Sequence, residues 1–179
     1  IELHKPLHSN QRGFVAGGSC LKNIADLLTF THKAKDRMKQ QIAQKIPFKI
    51  RQKTYLLFID LKKAFDTVDR GKLLTTMKGN GFNPTLVRAY AQFCDQMKLQ
   101  TPEGDDVVTN VGVIQGGVTS PTSFAIMIDP MVQTLNDIAP TLALADDLVS
   151  VCYNEGQLYH LICTLERCCK AVSYTHLTL

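Results

Sequence analysis

The apolar positions of this chain change period along its length, and each change marks an element. Ser19 stands ahead of a long polar segment in which Ala34, Met38, Ile42 and Ile46 recur every four residues. A serine there caps a helix, predicted to run from Ser19 toward Ile46 and to end at Pro47. Thr54-Tyr55-Leu56-Leu57-Phe58-Ile59 is almost wholly apolar. Such a run predicts a strand buried on both faces, delivering Asp60 at its end. A helix over 68–78 follows, stopped by Gly79 and Gly81. Asn83 caps the next, with Pro84 at its first position and Leu86, Tyr90, Phe93 and Met97 as its apolar face. Residues 98–114 read as a hairpin around Pro102-Glu103-Gly104-Asp105, and Gln115-Gly116-Gly117 as a flexible turn. Ser120-Pro121 opens a helix carrying Phe124, Ile128, Met131 and Leu135 on one side, with a kink at Pro130. A last helix, over 155–172, turns Leu158, Leu161, Ile162 and Leu165 inward. The chain has neither an internal repeat nor a low-complexity tract.

Between the last two helices two apolar runs, 141–145 and 148–152, enclose Asp146-Asp147. That pattern predicts a β-hairpin with the acids at its turn. Two carboxylates at one turn repel each other, and a hard divalent cation such as Mg²⁺ or Mn²⁺ offsets that repulsion. An isolated Asp-Asp is most often a solvated turn. Here Asp60 forms a second acidic strand end. If the hairpin lies beside that strand, Asp60, Asp146 and Asp147 converge on one sheet edge. Three carboxylates can hold two metal ions for in-line phosphoryl transfer.

Composition narrows the class. Of 179 residues, 45% are hydrophobic and 20% charged, which excludes a disordered chain. No apolar run approaches a membrane span, so no membrane partner is expected. The formal charge is +4, but eight basic residues and a single acid fall within 33–53. That block is expected to meet nucleic-acid phosphates, through Lys49, Arg51 and Lys53 above all, or else to form a solvated helix face. Six cysteines without paired C-x-x-C spacing predict reduced thiols and an intracellular setting. The sequence begins with Ile1 rather than Met, as expected of a piece or a processed chain.

Taken together, Gln11-Arg12-Gly13-Phe14 with Gly18-Ser19, the stretch 58–70, the stretch 115–121 and Leu144-Ala145-Asp146-Asp147 resemble the reverse transcriptases, in particular those of group II introns and non-LTR retroelements. The resemblance covers roughly 11–170, with the four motifs in family order. It implies an α/β (α+β) fold, a right-hand polymerase palm with a split βαβ sheet and part of the fingers. Residues 1–53 would be partial fingers and basic connector, 54–172 the palm, and 173–179 a tail of uncertain origin.

The implied activity is RNA-directed DNA polymerisation, using Mg²⁺ or Mn²⁺, an RNA or DNA template with its primer, and deoxynucleoside triphosphates. By the same resemblance, Asp60 and Asp146 are metal ligands, Asp147 is a ligand or close support, and the Leu61 carbonyl faces a metal. Phe65 takes the place of the ring that blocks a ribose 2′-hydroxyl. Gln115, Gly116 and Gly117 lie against template base and incoming nucleotide, and Arg12 against template. Leu144 departs from the family, which usually has an aromatic there; Thr119 replaces a usual leucine. The glycine turn, lysine and thumb that normally follow are missing, so the short chain is expected to polymerise poorly and 173–179 to be loose.

Two other polymerase and protease readings fit less well. An RNA-directed RNA polymerase places an aspartate where Phe65 stands and a glycine where Ala145 stands. An aspartic protease needs glycine after Asp66-Thr67, where this chain has Val68. The remaining alternative is a catalytically inactive, polymerase-like module that binds nucleic acid.

Overall fold

The computed structural model describes residues 7–96, 98–100, 102–109, 111–114, 116–171 and 177–178. Its centre is an antiparallel sheet of β1 (Tyr55–Leu61), β4 (Thr141–Leu144), β5 (Asp147–Cys152) and β6 (Leu177–Thr178), in the order β4-β5-β1-β6. A separate pair, β2 (Lys98–Gln100) and β3 (Asp106–Val108), forms the expected hairpin. The helices are α1 (Cys20–Ala43), α2 (Arg70–Gly79), α3 (Pro84–Asp95), α4 (Ser120–Ile138) and α5 (Glu155–Ala171), with a short 3₁₀ turn at Phe48–Ile50. The elements expected from the apolar pattern are therefore present.

Strand β1 alternates, contrary to the expectation of burial on both faces. Ile59 is 2% exposed and Leu61 is buried, whereas Phe58 is 61% exposed and Leu56 and Asp60 also face outward. The period of two divides the sheet into a covered and an open face. On the covered face Ile59 and Leu148, register partners, meet the apolar side of α4 and α5. Phe124, Ile128, Met131, Leu135, Leu161 and Leu165 complete this core. Helix α4 is buried over most of its length because it packs against α2, α5 and β4 together. Thr141 and Ser150, opposite one another and buried, satisfy their hydroxyls mutually at 2.8 Å.

Helix boundaries obey local capping. The Ser19, Asp69 and Asn83 side chains accept backbone N–H bonds from Leu21, Lys72 and Thr85. Helix α1 ends at Ala43, short of Pro47, because Lys45 adopts φ +57° and the Ile46 N–H returns to the Gln41 carbonyl. Gln41, rather than Ile42, turns inward and pairs with the Gln52 backbone. In α3 Val87 and Cys94 are buried and Tyr90 packs against the core as expected, whereas Leu86 and Phe93 face outward. Met97 lies outside the described residues. The tail also differs from expectation. Residues 177–178 pair with β1 as an edge strand, opposite Leu61 and Asp60. Residues 172–176 and 179 lie outside the described residues.

Candidate active site

The acids meet because of strand register. Asp60 lies directly opposite Asp147, so both side chains project from the open face of the sheet. Asp146 occupies the two-residue turn between β4 and β5, where Ala145 has φ +56°. Asp147 feels both other acids. Partial burial, then the charges of Asp146 and Asp60, raise the Asp147 carboxyl above its ordinary value. Among the described residues no basic side chain forms an ion pair with any of the three. Leu61 closes β1, with its side chain buried on the covered face.

The hairpin is fastened from behind by the lead-in. Gln11 bridges Ala143 in parallel, the Arg12 N–H donates to the Ala143 carbonyl at 3.0 Å, and the Ala143 N–H donates to the Asn10 carbonyl at 2.9 Å. Asn23, on α1, donates a further bond to the same Ala143 carbonyl. Gly13 passes so close to the turn that a Cβ there would lie 2.1 Å from the Ala145 nitrogen. Arg12, expected against template, turns inward. It is 8% exposed, and its guanidinium donates to Asn23 at 3.0 Å and to Asp26 at 2.6 Å. The pairing draws Arg12 inward because a buried cation requires a partner, and Asp26 supplies one.

Phe65 sits beyond β1, half-buried. It stacks on Phe124 with centroids 4.8 Å apart and meets Phe14 edge-on at 6.2 Å. With Phe14, Ser120, Pro121, Gly116 and Gly117 it lines a cavity of about 510 Å³. Backbone bonds join these segments: the Val113 N–H donates to the Phe65 carbonyl, and the Gly112 N–H to that of Val68. Arg70 reinforces the junction by donating to the carbonyls of Gly112, Cys94 and Thr109. Gly116 has φ +81°, a conformation that favours glycine. Gln115 lies outside the described residues. A second cleft, about 520 Å³, separates α1 from the open sheet face, with Asp60 and Asp147 on its wall beside Phe58, Leu142 and Leu144.

In the basic segment, Lys49 and Lys53 are exposed. Arg51 donates to the Ile46 carbonyl and lies over the Phe48 ring, and Arg37 lies over Tyr153 at 4.7 Å. Part of the block therefore also braces its surroundings. Three residues of this region stood in the expected motifs without a role of their own. Gly13, Phe14 and Arg70 act through partners distant in sequence, and only the glycine of a Gly-Phe pair gave a local signal.

Among the described residues no three His, Cys, Asp or Glu side chains are gathered closely enough to hold a metal ion by themselves. The donor chemistry nonetheless fits a hard divalent cation: oxygen ligands only, mutual repulsion, and no competing basic partner among the described residues. Asp60, Asp146 and Asp147 are the side chains that would hold it.

Comparison with known proteins finds relatives of the chain and of its fold. The sequence matches the family described as Reverse transcriptase (RNA-dependent DNA polymerase) over residues 1–176. A stretch of 121 residues, 56% of the chain, is 30% identical to the "Retrovirus-related Pol polyprotein from type-1 retrotransposable element R2" of Popillia japonica. The chain spans 19% of that relative's length. Among solved structures, telomerase from Candida tropicalis in complex with a fragment of telomeric RNA aligns with a TM-score of 0.66 at 13% identity, over 89% of this chain and 29% of that one. The apo telomerase of the same organism, truncated from its C-terminal domain, aligns at 0.58 and 16% identity, over 87% of this chain and 33% of that one. These neighbours share the right-hand polymerase fold.

Proposed function

Because the chain belongs to the reverse transcriptase (RNA-dependent DNA polymerase) family, we propose that it is the palm, with part of the fingers, of an enzyme that joins deoxynucleotides to a primer 3′-hydroxyl on an RNA or DNA template. One observation carries the reading. Register sets Asp60 opposite Asp147, with Asp146 at the adjoining turn, on the uncovered face of the sheet. Mg²⁺ or Mn²⁺ held there would supply activation of the 3′-hydroxyl and stabilisation of the departing pyrophosphate.

The chain's own residues do the positioning. Asp60 and Asp146 act as ligands, Asp147 as ligand or support, and the Leu61 carbonyl as a further donor. The ring of Phe65, backed by Phe124, meets the 2′ position of the incoming sugar and rejects a hydroxyl by contact. Gly116 and Gly117, in the same cavity, let backbone approach base and sugar without a side chain between. Gln115 contacts template base and nucleotide in this reading. Lys49, Arg51 and Lys53 hold phosphate, and Arg12 anchors α1 to the acid hairpin.

A nucleic-acid-binding module without catalysis is the second reading. Exposed Lys49 and Lys53 would serve such a module without any metal. Primer extension separates the two. The chain is tested alone and joined to fingers and thumb segments of its retrotransposon relative, with RNA and DNA templates, with Mg²⁺ or with chelator. The polymerase reading expects chelator-sensitive deoxynucleotide addition by the joined protein and weak addition by the short chain. It further expects Phe65→Ala to raise ribonucleotide addition relative to deoxynucleotide. Template binding without extension by the joined protein establishes the second reading instead.

A further inference from the structure

We propose that Phe14 is a second wall of the nucleotide-sugar pocket and a specificity-determining residue, an inference that rests on the polymerase reading above. Phe14 follows Gly13, which lies against the acid turn too closely to carry a side chain. The chain leaves that contact with φ +58° at Phe14. A bulky residue seldom adopts this conformation, and such residues concentrate at functional sites. Here the residue that adopts it carries a ring beside Phe65. It is 54% exposed, yet it meets Phe65 edge-on at 6.2 Å and 80° and shares the cavity formed with Gly116, Gly117, Ser120 and Pro121.

Selectivity by steric contact needs a ring that cannot swing aside. Phe124 stacks on one face of Phe65 at 4.8 Å and 24°, while Phe65 remains half-buried. Phe14 supports it from a second direction, in the edge-to-face geometry that aromatic pairs prefer. The ligand that this pocket takes is a nucleoside triphosphate, sorted by the presence or absence of a 2′-hydroxyl. One short segment thus performs two tasks. Its backbone, through Ala143, braces the hairpin that carries Asp146 and Asp147, and its next side chain braces the ring that reads the sugar.

The test uses the primer-extending protein described above and measures kcat and KM for matched deoxy- and ribonucleotides. Phe14→Leu removes the flat edge contact. Phe14→Gly removes the ring and eases the left-handed backbone, so a folding failure through strain does not confuse the result. Both should lower the deoxy-to-ribo ratio of kcat/KM by roughly 10-fold, the scale of a lost steric contact in a pocket. Adding either to Phe65→Ala should cause little further loss, because the two rings act together. If Phe65→Ala changes the ratio and both Phe14 variants keep the wild-type value, Phe14 is not a pocket wall and the polymerase reading survives. An equal fall in kcat for both sugars with an unchanged ratio also overturns the inference, leaving a structural role. If the wild-type joined protein performs no templated synthesis, the underlying reading fails and this inference fails with it.

Discussion

At the residue scale, single contacts decide what each candidate side chain can do. Arg12 illustrates the limit of reading a basic residue from sequence: an exposed guanidinium and a buried one look alike until its partners, Asn23 and Asp26, are in place. Asp60, Asp146 and Asp147 were legible because apolar runs of strand length flank them. Gly13 was legible only as a glycine in a motif; its reason lies in Ala145, far along the chain. That contact yields a prediction. A Cβ at position 13 would meet backbone at 2.1 Å, and backbone has little room to yield. Gly13→Ala should therefore destabilise the fold by about 1–3 kcal/mol, the usual cost of overpacking. Urea denaturation checks it, and a variant as stable as the wild type shows that the hairpin gives way freely.

At the element scale, β1 was recognisable as a strand, but its two faces were not. An apolar run has the same appearance whether both faces are covered or one lines an open cleft. The structure separates them: Ile59 faces the core and Phe58 the cleft between α1 and the sheet. Ile59→Ala should cost about 2–5 kcal/mol through transfer and cavity terms. Phe58→Ala should cost under about 1 kcal/mol, as expected of a mostly exposed side chain. Equal losses in paired denaturation experiments restore a strand buried on both sides. The same ambiguity affects α3: Tyr90 turns inward as expected, but Leu86 and Val87 are both apolar and only tertiary packing selects Val87. The starts of α1 and α3 were read correctly, because Ser19 and Asn83 act on the N–H groups next to them, whereas α2 starts at Arg70, two residues later than expected. The end of α1 was not read correctly, because it depends on a left-handed Lys45 that no local preference announced.

At the scale of the whole molecule, the sheet brings together an acidic edge and a nucleotide-sized cavity, while a basic segment extends from α1. Chain order carried enough information for the palm, since four motifs separated by ordinary elements admit few arrangements. It did not reveal the edge strand Leu177–Thr178, whose pairing beside Asp60 rests on tertiary placement rather than on local pattern. The basic segment makes a long-range prediction. Reversing charge at Lys49, Arg51 and Lys53 should weaken nucleic-acid binding uniformly across sequences. The slope of log affinity against log salt should fall by about 1 for each phosphate contact removed. Fluorescence anisotropy over a salt series checks this, and an unchanged slope returns the segment to a solvated face. The central claim is that Asp60 and Asp146 support nucleotide transfer. Its most direct measurement is single-nucleotide extension in Mg²⁺ by Asp60→Asn and Asp146→Asn within the joined protein, alongside melting temperature and primer–template affinity. The account predicts a loss of at least about 100-fold in extension, because even outer-shell partners of a metal account for 10–100-fold. Melting and template affinity should stay near the wild-type values. Extension at the wild-type rate by either variant contradicts the account.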